Sequence, residues 1–84
     1  MRLKVEFTTE PFELEQVPAH ALEARRIVAE AGLDVEVGPF GTSAEGDAET
    51  VLAVVDRLFR DTLGVGATRI SVQVTAVPAA EEQA

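Results

Sequence analysis

The sequence predicts an α+β domain: a single four-stranded sheet with two helices on one of its faces. Three observations lead there. Three segments alternate apolar and polar residues with a period of two, a fourth reads as a strand whose alternation is masked by glycine and small residues, and two segments repeat apolar residues at helical spacing. They follow one another as strand, helix, strand, strand, helix, strand. The 84 residues suffice for one small domain, expected over 1–78, with 79–84 as a flexible acidic tail.

In the first strand Leu3, Val5 and Phe7 alternate with Arg2, Lys4, Glu6 and Thr8, and Pro11 ends the pattern because it offers no ladder donor. The acidic stretch Glu10 to Gln16 reads as a loop. Pro18 suits the first turn of a helix, where its missing N–H costs nothing. Ala21, Ala24, Val28 and Ala31 then recur on one face, flanked by Leu22 and Ile27. Gly32 follows as a left-handed cap. Leu33, Val35 and Val37 alternate with Asp34 and Glu36 in a second strand. A third strand is expected from Phe40 to about Glu45. Asp47 is placed to cap a second helix whose inner face is read as Val51, Val55, Leu58, Phe59 and Thr62. Gly64 and Gly66 close that helix, and Ile70, Val72, Val74 and Ala76 mark the last strand.

Short, right-handed connections then give a ferredoxin-like split βαβ arrangement, βαββαβ, with spatial strand order 4-1-3-2 and antiparallel outer pairs. One sheet face is apolar and is expected beneath the helices. The other carries Lys4, Glu6, Thr8, Asp34, Glu36, Arg69, Ser71, Gln73 and Thr75. That face has two readings, a solvated surface or a contact with the same face of another subunit.

Composition narrows the function classes. Hydrophobic residues make up 46% of the chain, which favours folding, but so small a domain buries only a modest share of its surface. There is no cysteine to form a disulfide or a zinc–thiolate site, so subunit association is the expected route to more buried area. A net charge of −8 and the lack of a basic stripe argue against nucleic acid. No apolar run spans a membrane and the N-terminus is unlike a signal peptide, so a cytoplasmic location is expected.

The run Gly38-Pro39-Phe40-Gly41-Thr42-Ser43-Ala44-Glu45-Gly46-Asp47 is the most informative. Its glycines permit close approach of backbone or ligand, Thr42 supplies a hydroxyl and Glu45 an anion. Such a floor suits a small polar or cationic ligand. With Ala31-Gly32-Leu33-Asp34-Val35 before it and Gly66-Ala67-Thr68-Arg69-Ile70 after it, the order and spacing resemble the thiamine-binding protein family. The Gly-Thr-x-x-Glu-Gly core, set between second strand and second helix, carries most of that resemblance. One departure is the segment Phe7 to Glu13, which lacks the glycine of the family's turn after the first strand.

The resemblance implies a ferredoxin-like domain that assembles into dimers or tetramers through sheet surfaces. It implies non-catalytic binding of thiamine or its hydroxymethylpyrimidine precursor, with no further cofactor or metal. Thr42 and Glu45 match the motif positions. Glu45 can accept from the aminopyrimidine amine or instead tie the start of the second helix. Thr42 can bond a ring nitrogen or serve as a plain strand residue. Thr8 and Thr9 end the first strand and can line the same pocket. Phe40 can stack on the ring or pack in the core, and Phe7 and Phe59 read as core. His20, the one histidine, reads as a surface or interface residue, and Arg25, Arg26 and Arg69 are candidates for an anionic group. Two alternatives are a small ferredoxin-like enzyme of isomerase or oxygenase type, and an assembly or regulatory domain that has lost its ligand site.

Overall fold

The computed structural model describes residues 1–38 and 41–78. Strand β1 (Arg2–Glu10) is followed by helix α1 (Ala19–Glu30), β2 (Asp34–Val37), β3 (Thr42–Asp47), α2 (Ala48–Arg57), a π-helical turn (Leu58–Thr62) and β4 (Arg69–Val77). The four strands form one sheet in the order β2-β3-β1-β4, all pairs antiparallel. This is the predicted order read from its other edge.

Register places Val5 opposite both Ala44 and Val74, and Ala44 opposite Val35. Opposed residues share a face. Leu3, Val5, Phe7 and Ala44 therefore point together into the core, where they meet Ala24, Ile27 and Val28 of α1 and Val51, Val54 and Leu58 from the second helical segment. Burying this apolar surface, at about 25 cal/mol per Å², is the main stabilising term.

Helix boundaries follow local chemistry. Pro18 sits at the N-cap of α1, one residue before the expected position, and its carbonyl accepts from Ala21 and Leu22 N–H. Gly32 takes φ +73° after the helix, the left-handed conformation expected of it. The Asp47 side chain accepts from the Glu49 N–H at 3.1 Å and caps α2.

Four expectations are corrected. The third strand runs Thr42–Asp47 rather than from Phe40, and Phe40 lies outside the described residues. Phe59 is 43% exposed instead of in the core, while Val54 is buried. The buried face runs Val51, Val54, Leu58 and Thr62 at spacings of three and four, and Phe59 stands one residue round the helix from it. Within the π-helical turn, the buried Thr62 hydroxyl donates to the Leu58 carbonyl at 2.6 Å. The apolar sheet face is also not fully covered, for Val35, Val37 and Val74 on the two edge strands remain exposed. The helical core contacts concentrate on central β1 and β3. Finally, His20 is buried rather than on the surface.

Candidate functional site

Strand β1 outruns β3. Its ladder with β3 ends at Phe7 opposite Thr42, whereas its ladder with β4 continues to Glu10 opposite Arg69. Thr8 and Thr9 thus lie at a corner of the sheet where β3 has given way to the chain entering from β2. Gly41 closes this corner tightly. A Cβ there would come within 3.0 Å of the Phe7 carbonyl oxygen and of Thr8 Cγ2, so the motif's first glycine is a close-approach residue.

Two clefts flank this corner and share Phe7, Thr8, Gly38, Gly41 and Thr42. The larger, about 500 Å³, spreads over the open sheet face, where Glu6 lies opposite Ser43 on one side and Gln73 on the other, and Thr8 opposite Ser71. The smaller, about 240 Å³, lies on the helix side. Its apolar wall includes Phe7, Phe12, Val17 and Val37, and Ala21 and Ala24 of α1 leave room for an occupant. Thr9 and Thr42 stand on this inner face, Thr8 borders the cavity from the open face at the strand end, and Glu13 and Arg25 are its charged lining residues.

Thr9 is fixed from behind. Its hydroxyl is hydrogen-bonded to His20 Nδ1 at 2.8 Å, the direction of the bond following the tautomer of the ring. Both residues are buried, and His20 Nε2 has no partner among the described residues. Alternating burial along β1 placed Thr9 on the inner face, but nothing in the helical spacing of α1 marked His20 as its partner.

The structure brings together three of the residues expected at the site, Thr8, Thr9 and Thr42. It does not bring Glu45 to them. Thr42 aligns with Phe7 on the helix side, while Glu45 aligns with Lys4 and Asp34 on the open face. Positions three apart on a strand point to opposite faces. Glu45 accepts from Arg2 Nε and Nη2 at 3.4 and 3.3 Å, and Arg2 also lies 3.8 Å from Asp34. Nor does Glu45 cap the second helix, a role taken by Asp47. A separate cleft of about 290 Å³ does border Glu45, walled by Lys4, Asp34, Glu36 and Ser43.

Gly46, the motif's last glycine, serves packing. A side chain there would collide with Leu33 and approach Val51. The carboxylates that border the two clefts at the corner are Glu6 and Glu13, neither of them singled out by sequence. The signal for Glu6 was available in the alternation Glu6, Thr8 and Ser71, Gln73 on one face, whereas Glu13 sits in a loop without periodicity.

Of the anion-binding candidates, Arg26 pairs with Glu23 and Glu30, and Arg69 lies 3.7 Å from Glu10. Hydrogen bonding to Arg26 holds the Glu23 carboxyl below the usual range. Glu30 is lowered by Arg26 first and by Arg57 second.

The sequence profile of the Thiamine-binding protein family matches residues 5–82. The chain belongs to the thiamine-binding protein family. No curated protein sequence matches it. Among solved structures, a domain of unknown function from Bacillus cereus is 25% identical with a TM-score of 0.70, over 93% of this chain and 78% of that one. A hypothetical protein from Methanocaldococcus jannascii is 20% identical with a TM-score of 0.71, over 93% and 82%. A Thermotoga maritima protein provisionally assigned to thiamine biosynthesis or salvage is 21% identical with a TM-score of 0.68, over 98% and 95%. The latter two likenesses establish the fold. Membership of the thiamine-binding protein family gives the motif around Gly41 and Thr42 a binding context. No helix among the described residues is long and apolar enough to cross a membrane.

Proposed function

We propose that the protein binds the hydroxymethylpyrimidine ring, free or as part of thiamine, in the helix-side cavity beside Gly41 and Thr42, without transforming it. The observation that carries this reading is that Thr9 and Thr42, on the same inner face of the sheet, border one cavity walled by Phe7 and Phe12, with Thr8 at its edge. An aminopyrimidine needs this combination: an apolar or aromatic wall for the ring and a few fixed hydrogen-bonding groups for its nitrogens. Glu13 borders the same cavity and is the carboxylate available to the exocyclic amine or a protonated ring nitrogen.

Size bears on the choice of ligand. At about 240 Å³ the cavity lies below the usual range of about 300–1,000 Å³ for drug-sized ligands and suits a single substituted ring. The thiazolium of thiamine would have to extend past Gly41 into the larger open cleft. Self-association belongs to the same reading, supported by the exposed Val35 and Val37 on edge strand β2.

Calorimetry with hydroxymethylpyrimidine and with thiamine tests the proposal. Saturable binding is expected, and Thr42→Val should weaken it by about fivefold, the worth of one ordinary hydrogen bond. Absence of heat and of any thermal shift with both compounds would overturn it.

A further inference from the structure

We infer that Arg25 makes this cavity selective for a phosphate monoester of the pyrimidine. The inference rests on the binding reading above and deepens it. The chain has 15 carboxylates against seven Lys and Arg residues, so cations should find partners readily. Arg2, Arg26, Arg57, Arg60 and Arg69 each have a carboxylate oxygen within 4.0 Å. Arg25 has none among the described residues, although Glu13 borders the same cavity. Among the described residues Lys4 also lacks a carboxylate within 4.0 Å, but it lies on the open face; Arg25 is the one arginine left unmatched, and it borders the cavity proposed to hold the ligand.

Helical spacing explains its position. Pro18, Ala21 and Arg25 follow one another at intervals of three and four along α1, with Ala24 beside them, and all four line the cavity. The small side chains set the helix back from the occupant, and the long guanidinium stem extends from the same stripe. A guanidinium presents a planar fork of donors that matches phosphate oxygens in a two-point contact. The hydroxymethyl group of the proposed ligand is an alcohol, and its monophosphate is the anionic form of the same ring. The ring would lie against Phe7 and Phe12 and the phosphate toward Arg25. Glu13 then remains for the amine side of the ring.

The test is calorimetry on the full chain with three probes: hydroxymethylpyrimidine, its monophosphate, and inorganic phosphate. The monophosphate should bind at least about tenfold more tightly than the unphosphorylated ring, as a charge-assisted contact warrants. Arg25→Gln should bring the two ring compounds to equal affinity, the loss falling on the monophosphate. Arg25→Lys should retain part of the preference. Arg25 is exposed, so neither variant disturbs the core. Equal affinities in the unaltered protein, a preference that survives Arg25→Gln, or inorganic phosphate binding as tightly as the ester would each overturn the inference. If the unphosphorylated ring still binds in those cases, the binding reading stands alone. If neither ring compound binds, both fall.

Discussion

The two ends of strand β3 carry the two halves of one short motif and have opposite characters. At the Thr42 end the strand borders clefts lined by hydroxyls, an amide and phenyl rings, beside Glu6, Glu13 and Arg25, none of which has an oppositely charged partner within 4.0 Å among the described residues. At the Glu45 end the carboxylate already has its partner, with Arg2 standing between Glu45 and Asp34 and Lys4 directly opposite Glu45 in the register. A group whose partner is built into the fold has less to offer a ligand than one left open. The difference teaches that the motif joins two jobs, site formation at its start and sheet–helix packing at its end.

Gly46→Val is the harshest challenge to that division. It drives a branched side chain into Leu33 and should destabilise the domain by about 1–3 kcal/mol through overpacking. Thermal melts would register the loss, and calorimetry on the remaining folded protein should return an unchanged ligand affinity. A large affinity loss in folded protein would join the two ends into one site.

Next in size is a pair of carboxylate changes. Glu13→Gln should weaken pyrimidine binding by about tenfold, since it replaces a charge-assisted contact with a neutral one. Glu45→Gln should leave affinity within about twofold and cost about 0–1 kcal/mol of stability, as expected for a largely exposed ion pair with Arg2. The reverse pattern, measured by titration of the two variants side by side, would move the ligand to the charged end.

The smallest effect belongs to the charges on the helices. Glu23 and Glu30 are held below the ordinary glutamate value of 4.5, first by hydrogen bonds to Arg26. A carboxylate lowered in the folded state contributes stability above its unfolded value, and that contribution is lost as pH falls through the lowered one. Arg26→Gln should therefore melt slightly below the unaltered protein at neutral pH, and the gap should close in acid below 4.5. Because these pairs are solvent-exposed, added salt should shrink the gap as well. A gap that persists in acid would assign Arg26 a packing role instead.

Much of the architecture was legible in the chain because the alternations in β1 and β4, the apolar repeat in α1 and the turn chemistry at Asp47 and Gly32 are local signals. The candidate site was legible in part. Thr8, Thr9 and Thr42 were chosen from strand ends that a βαββαβ order brings together, and they share a cavity. Glu45 groups with Thr42 in the sequence because both belong to the Gly-Thr-x-x-Glu-Gly motif, yet in an extended strand their three-residue spacing sends them to opposite faces. Phe59 is exposed because it flanks the stripe Val51, Val54, Leu58 and Thr62, and adjacent apolar residues leave the sequence without a way to choose which of them the sheet covers.

The sequence by itself determined the order of elements, the inward face of β1 and the presence of a glycine-bounded motif, since each depends on neighbours within a few residues. Only the tertiary structure decided that His20 is buried against Thr9, that Gly46 yields to Leu33, and that Arg25 stands without a carboxylate beside the cavity. Those outcomes depend on register and on the packing of α1 against the sheet, which bring together residues far apart in the chain.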